Sequence, residues 1–492
     1  MDEERILSSL RRENPWWRGE KIELGSHYYK RSHYYNLRQQ IDEEEIIGLL
    51  GPRRVGKTTI LKQIAQYLVK EKNVSRNRIL FIQMDNPYLK NSLEQPLKTI
   101  FEVYQDYILE DSFENLEEPV YVFLDEVQVL DSWAERLKYW YDRDYNLSLT
   151  ITGSSSAKIT AGSESLLGRI MDRKMLPLKF SETIKMKQEC GGLELKLQEK
   201  RKEMKNSFKK AINEENPEAL KKTFVKNTSS LRKHKSKIKP ELERYLKRGG
   251  YPRIIQKEIR EGLDLDYASR KLENDAEKAI QKDASDIYEA SPQKLMKVAV
   301  FIADNTGQKL VKSNLAGFAG VSEPTAAKYL NYLQEAYIIH RTKHYSPSTA
   351  ASERKQQKSY IWDPGFRNAL IGSLGGEYNM PPGEKGLVVE SVCADHLKRL
   401  TKQINGANQE VCYWDYQGGE VDLIINIANK TLPIEVKYQD SINKSGLKGL
   451  NRFLYDQNTE YGIVITKDKT GIMELREGKA VLTPLWILLT MI

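Results

Sequence analysis

The chain has 492 residues, room for roughly two to four domains with cores of their own, and 29% of them are charged against 40% hydrophobic. No apolar run approaches the ~20 residues that span a bilayer, and three dispersed cysteines (Cys190, Cys393, Cys412) with six scattered histidines argue against a disulfide framework and against a cysteine or histidine metal centre. The net charge of +9 is concentrated: thirteen Lys or Arg face four Glu within residues 201–239, a surplus as large as that of the whole chain, which points to phosphate-rich or acidic partners.

Met1-Asp2-Glu3-Glu4-Arg5 lacks the basic start and apolar centre of a signal peptide, so a cytoplasmic location without membrane association is expected. The abundance of Lys, Glu, Ile and Tyr is a weak thermophilic sign. Residues 1–40 form a lead-in with Pro15-Trp16-Trp17 and the cluster His27-Tyr28-Tyr29-Lys30-Arg31-Ser32-His33-Tyr34-Tyr35, aromatics expected to pack on the next domain rather than stack on bases.

Ile46, Ile47, Leu49 and Leu50 lead into Gly51-Pro52-Arg53-Arg54-Val55-Gly56-Lys57-Thr58-Thr59, followed by the helical pattern Ile60, Leu61, Ile64, Tyr67, Leu68. This fits G-x-x-x-x-G-K-[ST] in the strand-loop-helix setting that a P-loop requires. Gly51 and Gly56 permit the turn that aims main-chain N–H groups and a helix N-terminus at phosphates. Lys57 is expected on the β- and γ-phosphates and the Thr58 hydroxyl in a Mg²⁺ shell, so ATP and Mg²⁺ are the expected cofactors.

A second strand is expected at residues 78–85, helical patterning at 97–109, and a third strand at 119–126 that ends in Asp125-Glu126. This is a Walker B pattern: Asp125 holds Mg²⁺ through water and Glu126 orients and deprotonates the attacking water. A fourth strand, Leu147–Gly153, ends at Ser154-Ser155-Ser156, where Ser154 can sense the γ-phosphate. One strand between the two Walker motifs and another after them give the order of ATPases with an added central strand, hence AAA+-like. In residues 166–178, Arg169, with Arg173 as fallback, lies ahead of a fifth strand as the candidate γ-phosphate contact, in cis or from a neighbouring subunit.

The series Asn14-Pro15-Trp16-Trp17, the P-loop, Leu124-Asp125-Glu126-Val127-Gln128, Thr152-Gly153-Ser154-Ser155, Gly168-Arg169 ahead of Leu176-Pro177-Leu178, and Gly249-Gly250-Tyr251-Pro252 resembles the archaeal and bacterial predicted AAA+ ATPases that end in a restriction-endonuclease-like domain. The resemblance spans nearly the whole chain apart from residues 185–240 or so. It implies ATP hydrolysis, a winged-helix domain and a nuclease-like C-terminal end.

In the uncovered part, residues 194–210 and 218–248 are rich in helix formers and broken at Asn213-Glu214-Glu215-Asn216-Pro217. A basic helical hairpin is expected, its apolar positions sparse (Leu197, Met204, Phe208, Ile212, Leu220, Phe224, Leu231) and its contact a nucleic acid or another anionic partner. Residues 254–290 read as helices. Residues 295–302, 310–318 and 323–332 give three short helices, the last two joined at helix-turn-helix spacing with Ser322 as N-cap. Residues 337–341 and 359–363 would form a wing, and Thr325, Lys328 and Tyr329 a face for the major groove, although such domains also couple subdomains.

Farther on, Gly418-Gly419-Glu420-Val421-Asp422 opens a strand that turns at Ala428-Asn429-Lys430-Thr431 into Leu432-Pro433-Ile434-Glu435-Val436-Lys437. Alternation puts Glu435 and Lys437 on one face near Asp422. Acid, gap, acid-x-Lys is the PD-(D/E)xK nuclease pattern, with Val421 in place of proline. Asp422 and Glu435 are expected to bind Mg²⁺ beside a scissile phosphate, with Lys437 positioning or activating water. Glu390, in the helical run 387–400, matches the additional helix carboxylate of such nucleases, and Glu420, on the same strand face as Asp422, is expected either to compete for the metal or to take the role of Asp422. Residues 481–492 read as a buried closing strand or helix.

The expected architecture is α/β: a lead-in (1–40), an AAA+ ATPase core (41–183), a basic helical insertion (184–248), a helical lid (249–290), a winged helix (291–365) and an α/β restriction-endonuclease-like domain (366–492). The expected function is ATP-hydrolysing processing of duplex or branched DNA by a homo-oligomer, with a hexameric ring as the arrangement in which an arginine acts in trans. The alternative is a nucleotide-controlled regulatory or defence switch whose winged-helix and nuclease-like domains only bind.

Overall fold

The computed structural model describes residues 3–22, 29–87, 95–154, 166, 168–193, 202–203, 206, 209–210, 214, 217–285, 289–346, 348–372, 380–405, 411–427 and 430–492. They divide into two compact units, Met1–Leu176 with Glu335–Tyr337, and Pro177–Gln334 with Ile338–Ile492. No helix among the described residues is long and apolar enough to cross a membrane.

In the first unit the apolar runs become parallel strands β1 (Ile46–Leu50), β2 (Ile79–Gln83), β3 (Val120–Asp125), β4 (Leu147–Gly153) and β5 (Ile170–Lys174), ordered β2-β3-β4-β1-β5. Unbroken apolar runs suit strands covered on both faces, and β1 and β3 are buried throughout. β4 lies between β1 and β3, the added central strand. Because all five run in one direction, Gly51, Asp125 and Ser154 follow or end their strands along one edge of the sheet, where ligands of such sheets bind. The fifth strand starts earlier than expected and so contains Arg173.

β2 forms an edge whose backbone groups need partners. Asn14 supplies them as a neighbouring strand would: its Oδ1 accepts from Phe81 N at 2.7 Å and its Nδ2 donates to Phe81 O at 2.8 Å. The indole N–H groups of Trp16 and Trp17 both donate to Ile79 O, at 3.0 and 2.9 Å. These aromatics therefore cap the sheet; His27 and Tyr28 lie outside the described residues.

The second unit opens with helices, among them Pro217–Leu231, Lys235–Arg248, Pro252–Glu261 and Leu265–Glu277. Three more, Pro292–Asp304, Lys312–Ala319 and Glu323–Glu335, precede an antiparallel hairpin of β6 (Ile339–Thr342) and β7 (Lys358–Ile361). Helix Pro382–Asn405 leads into β8 (Val411–Tyr416), β9 (Gly419–Ile427), β10 (Lys430–Lys437), β11 (Tyr461–Thr466), β12 (Gly471–Glu474) and β13 (Lys479–Pro484), ordered β12-β13-β11-β10-β9-β8. β10, β11 and β13 run parallel. The closing segment is a strand and a helix at once: β13 continues into Leu485–Met491, buried along its whole length.

Three features of this unit bear on its sequence, and the last changes an expectation. The described basic helices are packed along one side: Leu220, Phe224, Leu231, Ile238, Leu242 and Tyr245 share one core with Val481 and Trp486. One apolar stripe per helix suffices for that, and Lys235 and Lys239 are paired with Asp468 at 3.2 and 2.5 Å; Leu197, Met204, Phe208 and Ile212 lie outside the described residues. Next, Gly249-Gly250 is a packed joint. Gly250 N donates to Asp363 Oδ2 at 2.7 Å, Gly250 O accepts from Leu178 N at 2.8 Å, and a Cβ at Gly250 would stand 2.0 Å from Leu178 O. Finally, Ser322 caps its helix by accepting from Thr325 N at 3.3 Å, but Tyr329 leaves the reading face. It belongs to the buried stripe Ala326, Tyr329, Leu330, Leu333, and its hydroxyl accepts from Ser291 N at 3.2 Å.

Candidate functional sites

The P-loop is held from below and from the side. A Cβ at Gly51 would stand 1.8 Å from Met175 O, Gly56 adopts φ +99°, and buried Arg31 donates to Val55 O at 3.1 Å. Gly51→Ala is accordingly expected to cost about 1–3 kcal/mol of stability by forcing loop and strand apart and to abolish nucleotide binding. Thermal melting and titration with a fluorescent ATP analogue check this, and wild-type affinity in the variant would contradict it.

The expected nucleotide residues converge. Lys57 Nζ donates to Gly51 O at 2.9 Å and Pro52 O at 3.2 Å and lies 3.4 Å from Glu126 Oε1. Thr58 Oγ1 donates to Asp125 Oδ2 at 2.7 Å, so the two Mg²⁺ candidates already touch. Thr152 Oγ1 donates to Asp125 Oδ1 at 2.5 Å and accepts from Glu126 N at 3.0 Å. Burial raises the Asp125 carboxyl although Thr152 and Thr58 oppose it. Burial pushes Glu126 the same way, but Lys57, Gln128 and Arg53 outweigh it and hold Glu126 below the usual carboxylate range. Glu126 itself sits at φ +59°, a backbone position that residues other than glycine rarely keep without a local reason.

In the second unit the β9–β10 ladder runs as far as Leu423↔Ile434, one residue short of Asp422 and Glu435. There Asp422 Oδ2 accepts from Val436 N at 2.7 Å, and Lys437 Nζ donates to Glu435 Oε1 at 2.6 Å. Glu390, on helix Pro382–Asn405, accepts from Tyr360 OH at 2.8 Å and Lys358 Nζ at 3.1 Å, both on β7. Lys358 also reaches Glu420 Oε1 at 2.7 Å, and Lys309 pairs with Asp415 and, at 3.7 Å, with Glu420.

Burial dominates this group. It and the charge of Asp422 push Glu435 up to about 8 against the Lys437 ammonium. It and Asp422 push Glu390 up to about 7 against Lys358 and Tyr360. Asp422 is raised by burial against Lys358, Lys437 and the Val436 amide.

Glu435 Oε2 is buried without a hydrogen-bond partner, an uncompensated acceptor that a divalent cation would satisfy. Among the described residues no three His, Cys, Asp or Glu side chains form a ready metal cage. Mg²⁺ needs only one or two carboxylates because it keeps several waters, so Asp422 and Glu435 fit it. At Glu390, Lys358 and Tyr360 both bind the same oxygen, Oε1.

Residues 43–184 match the AAA domain. That match and the sheet order make the first unit's sheet a P-loop ATPase α/β domain of AAA+ type. Residues 239–375 match a domain of unknown function (DUF8612) and residues 385–488 another (DUF4143). An uncharacterized protein of Methanocaldococcus jannaschii is 24% identical over 86% of this chain and 83% of its own. One of Haemophilus influenzae is 23% identical over 71% of this chain and 75% of its own. Among solved structures, C. elegans PCH-2 is 15% identical with a TM-score of 0.23, over 37% of this chain and 46% of that one.

Within the AAA domain, Ser154 is linked to the Asp125–Glu126 strand end through Gln128, whose Nε2 donates to Ser154 Oγ at 2.9 Å and to Glu126 Oε2 at 2.5 Å. Gln128, to which the Walker B pattern assigns no role, carries this link; Ser155 and Ser156 lie outside the described residues. Arg169 is not brought to the P-loop of its own chain. Its carbonyl accepts from Ile46 N at 2.8 Å and its guanidinium pairs with Asp142 at 2.9 Å, at the start of β1, so about 16 Å of strand separates it from Gly51. Arg173 donates to Gln40 Oε1 at 3.0 Å.

Proposed function

We propose that the chain is an ATP-hydrolysing DNA-processing protein whose AAA domain drives or times the engagement of duplex or branched DNA and whose C-terminal module cuts it with Mg²⁺. The observation that carries the cleavage reading is the opening of the β9–β10 ladder at Asp422 and Glu435, with Lys437 at 2.6 Å and Glu435 Oε2 unpartnered. In this reading Asp422 and Glu435 hold a divalent ion, which supplies charge stabilisation at the scissile phosphate. Lys437 positions the attacking water.

The three helices with the β6–β7 hairpin act as a winged helix that meets DNA through Thr325 and Lys328, and the six-stranded module is restriction-endonuclease-like. At the nucleotide, Gly51 to Thr59 cradle the phosphates, Thr58 and Asp125 hold Mg²⁺, and Glu126 takes the proton of the attacking water, with Ser154 and Gln128 setting its position. Arg169, remote from its own P-loop, serves the nucleotide of a neighbouring copy, which calls for a homo-oligomeric ring, hexameric in this proposal.

The purified chain with ATP and Mg²⁺ or Mn²⁺ is expected to cut labelled linear, forked or four-way DNA, and the cutting should vanish in Asp422→Ala. Absence of cutting by the wild type on every substrate leaves the second reading, a nucleotide-controlled switch that only binds. The observation favouring that alternative is the Lys358 ammonium placed between Glu390 and Glu420.

A further inference from the structure

Lys358 is the most enclosed cation beside these carboxylates. Its side chain is 2% exposed, its Nζ lies 3.1 Å from Glu390 and 2.7 Å from Glu420, and it stands over the Tyr413 ring at 5.4 Å. Lys437, by contrast, is 26% exposed and touches Glu435. Lys358 also comes from elsewhere in the chain: β7 lies in the segment 239–375, the acids in the segment 385–488. Its strand is pinned by the Lys309↔Lys358 bridge and by Gly307, where a Cβ would meet Glu390 Oε1 at 3.1 Å.

An ammonium so placed neutralises acids that burial would otherwise leave uncompensated, and so answers the same electrostatic demand as a bound metal ion. The Lys358 charge also acts on Asp422, so a divalent cation held there meets a like charge in surroundings that screen poorly. We infer that Lys358 is a resident counter-cation that sets the divalent-metal affinity of the Asp422–Glu435 site by competing for its carboxylate field. The β6–β7 hairpin thereby tunes a site whose acids it does not supply. This rests on the proposed metal role of Asp422 and Glu435.

The test is Mn²⁺ titration of the full chain without nucleotide, by calorimetry and electron paramagnetic resonance, with Asp422→Asn defining which binding belongs to this site. Lys358→Met and Lys358→Gln should bind that Mn²⁺ at least about tenfold tighter than wild type. Lys358→Arg, which keeps the charge, and Tyr360→Phe, which removes a neutral contact to the same Glu390 oxygen, should stay within about twofold. Unchanged or weaker binding in both neutral variants, with the Asp422-dependent site present in wild type, overturns the inference alone. Loss of folding in both neutral variants beside a folded Lys358→Arg also overturns it, because Lys358 would then be a structural cation. Absence of any Asp422-dependent Mn²⁺ in wild type and variants overturns both the inference and the metal reading beneath it.

Discussion

Glu126→Gln is expected to leave ATP binding intact and to slow hydrolysis about 10²–10⁴-fold, the range that a positioned general base contributes. The side chain is placed for that task by contacts on both sides. Its N–H donates to Thr152 Oγ1 at 3.0 Å, and Gln128 Nε2 donates to its carboxylate at 2.5 Å. Burial alone would favour the protonated acid; Lys57, Gln128 and Arg53 keep it ionised, as a base must be. Glutamine preserves the size and removes the charge, and with it the 3.4 Å ion pair to Lys57. The Lys57 ammonium then reaches phosphate without first leaving a carboxylate, so ATP affinity should rise rather than fall. Phosphate release and nucleotide titration measure the two effects separately, and ordinary turnover in the variant would move the base elsewhere.

The nucleotide site is legible in the sequence because its parts are local and their order implies the sheet. A glycine-rich turn after one strand and an acid pair ending another meet whenever those strands run parallel, and Lys57, Thr58, Asp125 and Glu126 do meet. Asp422, Glu435 and Lys437 are legible for a similar reason, since alternation along two adjoining strands fixes their face. Lys358 and Tyr360 are not. A lysine on the four-residue strand Lys358–Ile361 carries no pattern, and its meaning depends on which sheet the hairpin meets, a long-range fact. The packing of the basic stretch is hidden for the complementary reason: its charge is dense and visible, whereas Leu220, Phe224 and Leu231 are too few to announce a core they share with Trp486. Tyr329 is different again. Helical spacing from Ala326, Leu330 and Leu333 already points it inward, so periodicity alone could have removed it from a DNA-reading face.

The carboxylate site should announce itself through pH. Glu435 and Glu390 stand at about 8 and about 7, above the ordinary 4.5, because burial disfavours their charged forms. A raised carboxyl contributes stability that is full below its unfolded value and is lost as pH rises through its folded value. The chelator-treated chain is therefore expected to lose melting temperature between pH 6 and pH 9 in part through this pair. Mn²⁺ should restore it at the alkaline end, since the metal binds the ionised carboxylates. Conversely, Mn²⁺ affinity should fall up to about tenfold per pH unit below about 8 for each proton that binding displaces. Glu435→Gln removes the ionisation without changing the volume. It should melt above wild type at pH 9 in chelator, gain nothing from Mn²⁺, and lose DNA cleavage by at least about 10²-fold. Melting curves of both proteins at pH 6 and pH 9, with chelator and with Mn²⁺, decide the matter: a wild-type pH profile in the Gln variant would show that the ionisation, and the metal with it, belongs to other residues.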